Sequence, residues 1–182
     1  MVFISILLLP LMTYAATICL PKGWKFSWTF SSTDEISFTL KLAQETLDSY
    51  QWVGVGFRST GNENSGMTGA DIINILTGPE VLDSYATCNC QPTKDTELSG
   101  EDNLSNVSYD QELLEYRWTK PINSQDPNDM IYTQDSFAYL LWACGKIKDG
   151  VQLRHLVPDR GIVKVQLSEN YTKDCEEIIE LI

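Results

Sequence analysis

The chain has 182 residues, and its 13 lysines and arginines against 25 aspartates and glutamates give a formal net charge of −12. This charge excludes a nucleic-acid-binding protein, because such a chain repels phosphate backbones. Hydrophobic residues make up 43% of the sequence, which excludes a disordered acidic chain and supports a folded core. His155 is the single histidine, so metal and haem sites that need two imidazoles are excluded as well.

The N-terminus carries an uncharged apolar run over residues 2–12, followed by residues 13–15, which end in Ala15. This pattern predicts a secretory signal peptide over residues 1–15 and a secreted single domain over residues 16–182. A buried N-terminal helix is the alternative. The run is shorter than the roughly 20 apolar residues that cross a bilayer, so we expect no membrane span.

Alternating apolar and polar residues predict antiparallel strands along most of the mature chain. The clearest pattern is a hairpin formed by residues 24–31 and 36–42. Further strands are predicted at residues 52–57, 70–77, 81–87, 114–118, 136–144 and 163–167. Residues 91–106 and 123–128 are predicted to be exposed loops, and residues 174–182 a short helix or last strand. About eight strands without a long helix predict an all-β sandwich or barrel.

The five cysteines predict disulfides in an oxidising compartment, with one cysteine left over because the count is odd. They are Cys19, Cys88, Cys90, Cys144 and Cys175. Cys88 and Cys90 are only two positions apart, and we expect each to bond to a distant cysteine or to stay free. Three sequons, at Asn103, Asn106 and Asn170, predict N-glycosylation of an exported chain.

The candidates for chemistry are few. No Gly-x-Ser-x-Gly motif accompanies His155, so a secreted hydrolase is the least favoured function. The many carboxylates are interpreted as solvated surface. Met67 lies in the glycine-rich polar segment 61–71, and His155 precedes the last predicted strand. A thioether and an imidazole are a known axial ligand pair of cytochrome haem iron, but the same residues also suit a partly exposed methionine and an ordinary surface histidine.

Several short motifs occur in an order that resembles the DOMON family. They are residues 52–57 (Trp-Val-Gly-Val-Gly-Phe), 66–71 (Gly-Met-Thr-Gly-Ala-Asp), 83–85 (Asp-Ser-Tyr), 137–143 (Phe-Ala-Tyr-Leu-Leu-Trp-Ala), His155 and 160–161 (Arg-Gly). The resemblance covers residues 20–168 or so and implies an immunoglobulin-like antiparallel β-sandwich. The sequence is similar to the haem-binding branch of the family, which includes the cytochrome domain of cellobiose dehydrogenase. Residues 88–90 depart from the family's common patterns.

This resemblance implies that Met67 and His155 are the axial ligands of a non-covalently bound b-type haem. The residues expected to wall the haem or to pair with its propionates are Trp52, Phe57, Tyr85, Trp142, Arg154 and Arg160. Two protein ligands on the iron favour single-electron transfer over oxygen activation, so the implied role is electron transfer or binding rather than catalysis. The electron would pass to a redox partner in trans, and the acidic surface favours a basic patch on that partner.

A different class of function stays open at this point. Exposed aromatic residues, sequons and an unpaired cysteine also suit a carbohydrate-binding or adhesive module, or a subunit of an extracellular and even polymeric assembly. Such an assembly would form through the leftover cysteine or through the apolar C-terminal tail.

Overall fold

A computed structural model describes residues 15–61 and 66–173 of the chain. The predicted signal peptide up to residue 14, the tail over residues 174–182 and Cys175 lie outside the described residues. Within the described part, no helix is long and apolar enough to cross a membrane.

The described residues fold mainly into β-strands. In chain order these are β1 (Ala16–Leu20), β2 (Trp24–Phe30), β3 (Glu35–Lys41), β4 (Trp52–Ser59), β5 (Asp71–Leu76), β6 (Val81–Tyr85), β7 (Thr93–Lys94), β8 (Ser105–Asp110), β9 (Glu115–Pro121), β10 (Phe137–Gly145), β11 (Ile147–Lys148), β12 (Val151–Gln152), β13 (Arg160–Gln166) and β14 (Thr172–Lys173). A short helix, α1 (Gln44–Ser49), connects β3 to β4, and 3-10 turns occur at Pro21–Gly23, Asp95–Leu98 and Val157–Asp159.

Two six-stranded sheets contain most of these strands. The first sheet has the order β14-β1-β2-β3-β9-β8, and the second has the order β13-β10-β4-β5-β6-β7. Neighbouring strands are antiparallel except for the short β1–β14 pair, which is parallel. The strands β11 and β12 form a separate small hairpin. The prediction of an all-β sandwich is therefore confirmed.

The core between the two sheets is rich in aromatic residues. The alternation in the predicted hairpin turns Trp24, Phe26 and Trp28 of β2 inward, and all three are almost completely buried. Phe38 of β3 stacks on Trp118 of β9 with ring centroids 5.7 Å apart. Burying one such side chain stabilises the fold by about 1.5–3 kcal/mol, so this aromatic layer makes a large contribution to the stability of the sandwich.

The strand predictions lack β1, β11, β12 and β14, and β13 begins at Arg160 rather than at residue 163. Two further differences concern residues 91–106 and 114–118. Residues 91–106 are not a continuous loop, because β7 and the 3-10 turn Asp95–Leu98 lie within them and β8 begins at Ser105. The predicted strand over residues 114–118 begins one residue later, because Leu114 has φ of 55° and belongs to the turn before β9. The strand pattern favours extended backbone at Leu114, but the tight β8–β9 connection requires a left-handed residue there.

Candidate functional site

A cleft of about 590 Å³ lies on the outer face of the second sheet and meets the aromatic core at Trp142. Its floor is formed by β4, β5 and β10, and its sides by the segments around residues 66–67, 89–92 and 152–162. The volume lies within the range of about 300–1,000 Å³ that is typical of small-molecule and cofactor sites. The cleft is therefore large enough for a cofactor.

Alternation along β4 builds the floor of the cleft. Val53 and Val55 point into the core, so Trp52 and Gly54 face the cleft. A Cβ atom placed on Gly54 would have no heavy atom closer than 3.8 Å among the atoms around it. The glycine thus leaves room for a flat ligand to lie against the backbone of β4.

Met67 lies at one side of the cleft. It packs with Tyr139 against a small apolar cluster on the outer face of the sheet, which consists of Ala70, Ile72, Ala86 and Leu141. The backbone N–H of Met67 donates a hydrogen bond of 2.9 Å to Oδ1 of Asn89. Met67 is half-buried and lines the cleft.

His155 contributes to another side of the same cleft. Its ring centroid lies 6.2 Å from that of Trp52, and its Nδ1 is buried without a hydrogen-bond partner among the described residues. Burial, followed by the positive charge of Arg160 and then that of Arg154, lowers the pKa of His155 below its ordinary value. The imidazole is therefore neutral at pH 7, which is the form that binds a metal ion.

The charge of the cleft is opposite to the charge of the chain. Arg154 and Arg160 both line the cleft, and no aspartate or glutamate is among its described lining residues although the chain has 25 acidic residues. The neighbouring carboxylate of Asp159 is already paired with Lys22 at 2.7 Å and accepts a hydrogen bond from Tyr50. The arrangement suits a flat apolar ligand that carries carboxylates.

Most residues expected around a haem line this one cleft. They are Met67, His155, Trp52, Trp142, Arg154 and Arg160. Trp142 also packs edge-to-face on Trp24, with ring centroids 5.6 Å apart, so it connects the cleft to the core.

Phe57 and Tyr85 do not line the cleft. Phe57 is five positions after Trp52 on β4, so period-two alternation places it on the opposite face, where it packs on Phe26 at 5.8 Å. Tyr85 is paired directly with Asp71 across β5 and β6, and cross-strand partners share a face. Asp71 points into the protein, so Tyr85 lies on that side too. Phe57 and Tyr85 therefore support the fold rather than the walls of the cleft, although Trp52 and Gly54 of the same 52–57 motif line it.

Two polar features of this region were missing from the sequence-based site. Gln152 donates a 3.0 Å hydrogen bond through Nε2 to Oδ1 of Asn74, and both side chains line the cleft. Asn89 also lines the cleft and contacts the Met67 segment. Asn74 could have been found from the alternation of β5, in which it shares a face with Ile72, but no pattern in the sequence indicates the contacts of Gln152 or Asn89.

The interpretation of the carboxylates as solvated surface is wrong for a cluster between the sheets. The buried ammonium of Lys120 lies 2.8 Å from an oxygen of Asp71, 2.8 Å from Asp83 and 2.5 Å from Asp129. Asp95 is also buried, and neither of its carboxylate oxygens has a hydrogen-bond partner among the described residues. Burial raises the pKa of Asp95 to about 8. The carboxylates of Asp71, Asp83 and Asp129, which together could bind a cation, therefore already surround the ammonium group of Lys120.

The expectation for Cys88 and Cys90 is wrong, because these two cysteines form a disulfide with each other. A turn brings their Cα atoms to 5.2 Å, well within the usual range for a disulfide, which the short spacing in sequence did not suggest. Cys19 is also disulfide-bonded. Cys144 is the free cysteine of the described residues, and it is buried.

The three sequons differ in their surroundings. Asn103 is tied into the buried cluster, because its Nδ2 donates to Asp129 at 2.8 Å and its backbone N–H donates to Asp83 at 3.1 Å. Asn106 and Asn170 are exposed.

The comparisons with known proteins agree with this architecture. The family model described as the DOMON domain matches residues 22–145, which include β2 to β10 and therefore the floor of the cleft. No curated protein matches the chain. Because the family model covers more than half of the sequence, we conclude that this chain belongs to the DOMON family.

Proposed function

We propose that this DOMON domain is secreted and binds b-type haem non-covalently, with Met67 and His155 as axial ligands, for single-electron transfer. The observation that carries the proposal is that both residues, which come from distant parts of the chain, line one cleft. The buried Nδ1 of His155 without a partner, on a neutral imidazole, also supports a metal-bound role.

The remaining residues of the cleft fit a haem as well. When bound, haem supplies a reversible one-electron couple. Gly54 leaves space at the floor, Trp52 and Trp142 provide apolar contact, and the absence of lining carboxylates among the described residues favours an anionic ligand. Arg154 and Arg160 would bind the propionates by charge-assisted hydrogen bonds. Two protein ligands would leave no axial position for dioxygen, and the electron would therefore pass to a partner protein in trans.

The direct test is titration of the purified haem-free protein with haem, followed by absorption spectroscopy. We expect a low-spin spectrum in the wild type and its loss in His155→Ala. Met67→Leu keeps the volume of the side chain but removes the sulfur, so it should change the spectrum without unfolding the protein. Met130→Leu is the matched control, because Met130 packs against the core rather than the cleft. A wild type that takes up no haem refutes the proposal.

The arginines are tested in the same titration. Arg160→Gln should weaken haem binding about tenfold, because one charge-assisted hydrogen bond to a propionate is lost. Arg117→Gln is the control, since Arg117 is paired with Glu115 outside the cleft. Equal affinities of the two variants would contradict the assignment of Arg160 to a propionate.

Carbohydrate binding is the second candidate, and one observation favours it. Trp52 lies in the same cleft as the hydrogen-bonded amides of Asn74 and Gln152, and an aromatic ring beside amide groups also suits a sugar. A glycan array with the haem-free protein separates the two candidates. Binding of neutral sugars that is lost in Asn74→Ala, together with no uptake of haem, would favour the carbohydrate-binding module.

A further inference from the structure

A three-residue disulfide loop stands beside the Met67 segment. The bond between Cys88 and Cys90 closes this loop and places Asn89 at its tip, and all three residues are exposed. Cys90 and Asn89 also line the cleft. The loop is thus a covalently constrained part of the rim of the candidate haem site.

Asn89 makes close contact with the segment that carries Met67. Its Oδ1 accepts the 2.9 Å hydrogen bond from the backbone N–H of Met67. Gly66 has φ of +60°, and a Cβ atom built on it would lie only 2.4 Å from the same Oδ1. The absence of a side chain at Gly66 therefore allows Asn89 to reach the backbone of Met67.

Backbone hydrogen bonds fix the other end of this segment. Gly69 donates to the carbonyl of Ala86 at 2.8 Å, and Ala86 donates to the carbonyl of Ala70 at 2.9 Å. These bonds hold residues 69–70, and the N–H of Ala70 donates a further hydrogen bond to the carbonyl of Met67 at 3.0 Å, which closes a turn over residues 67–70. The turn fixes the carbonyl of Met67, whereas the N–H of Met67 is fixed by Asn89, so the position of the candidate ligand depends on the disulfide loop as well as on the turn.

We propose that Asn89 is a positioning residue for Met67 and that the Cys88–Cys90 disulfide makes this positioning sensitive to thiols. This inference rests on the proposed role of Met67. A dithiol that donates two electrons and two protons would cleave the S–S bond, yielding two cysteine thiols and the oxidised cyclic disulfide of the reagent. Exposed disulfides are the ones that are most readily reduced. Reduction releases the constraint on Asn89 and loosens the Met67 segment, while the 69–70 pairing persists.

The first test uses the haem-free protein, so it does not depend on haem binding. Amide hydrogen exchange of Met67, followed by NMR, should be about tenfold faster in Asn89→Ala and in the double variant Cys88→Ser/Cys90→Ser. Asn89→Asp keeps an acceptor oxygen and should restore slow exchange. Thr87→Ala, an exposed neighbour of the loop, is the control, and the amide of Gly69 is an internal reference. Unchanged exchange of Met67 in Asn89→Ala overturns the proposal.

The second test uses dithiothreitol and, where haem binds, the absorption spectrum. Dithiothreitol should accelerate exchange of Met67 in the wild type but not in Cys88→Ser/Cys90→Ser, which separates this bond from the disulfide of Cys19. In the haem-loaded protein the same treatment should alter the bands that depend on Met67. If the wild type binds no haem but the exchange of Met67 responds to the variants as described, only the proposed haem function is refuted. If haem binds and its spectrum is the same in Asn89→Ala as in the wild type, the positioning role of Asn89 is overturned.

Discussion

Replacing Lys120 with methionine removes an ammonium group while nearly keeping the shape of the side chain. In the folded protein this ammonium lies within 2.8 Å of carboxylate oxygens of Asp71, Asp83 and Asp129, all shielded from water. Removing one partner of a buried ionic group lowers the free energy of unfolding by about 3–5 kcal/mol, because the remaining charges are left uncompensated. The free energy of unfolding of a domain this size falls by roughly 2 kcal/mol per molar urea, so the urea concentration at the unfolding midpoint should fall by about 2 M.

The assay is urea unfolding at pH 7 and pH 5, followed by tryptophan fluorescence. The loss of stability in Lys120→Met should be smaller at pH 5 than at pH 7, because the uncompensated carboxylates take up protons in the folded variant. Lys25→Met, on the exposed side of β2, is the matched control and should change the midpoint little. A midpoint for Lys120→Met within about 0.5 M of the wild type at pH 7, or an equal loss at both pH values, would refute this reasoning.

Three further predictions concern the cleft, the buried acid and the sequons. Gly54→Leu should fill the floor of the cleft and abolish haem uptake in a titration, while circular dichroism shows an unchanged fold. In the folded protein the pKa of Asp95 is about 8, above its ordinary value of 3.8. The protonated side chain therefore favours the folded state at low pH, and this contribution is lost as the pH rises towards 8. The melting temperature of Asp95→Asn should depend less on pH between 5 and 8 than that of the wild type. Mass spectrometry of protein secreted from eukaryotic cells should find glycans at Asn106 and Asn170 but not at Asn103, whose amide is hydrogen-bonded inside the fold.

The sheet architecture could be predicted because one physical signal determines it. Alternation of apolar and polar residues sets which face of a strand is buried, and the patterns around Trp28 and Phe38 match the inward faces of β2 and β3. The same rule, applied to β4, places Trp52 and Phe57 on opposite faces of the sheet. The expectation that both residues wall the haem is wrong for Phe57, because an odd spacing on a strand places two side chains on opposite faces.

Other parts of the candidate site depend on contacts between distant segments, and local patterns do not contain these. The sequence indicates neither that Asn89 meets Met67 nor that Lys120 meets three aspartates. Lys120 is two positions after Trp118 on an alternating strand, so its inward direction was accessible, but its partners come from β5, β6 and the segment after β9. The disulfide of Cys88 required a turn whose geometry the spacing alone did not reveal.

The burial of Cys144 has a consequence for any cross-linked form of the protein. Its thiol lies in the interior, and burial raises its pKa to about 12, so little reactive thiolate is present near neutral pH. A covalent dimer joined through Cys144 can therefore form only from molecules whose sandwich has opened. The rate at which an alkylating reagent labels this cysteine in native buffer, followed by mass spectrometry, therefore reports how often the protein unfolds spontaneously.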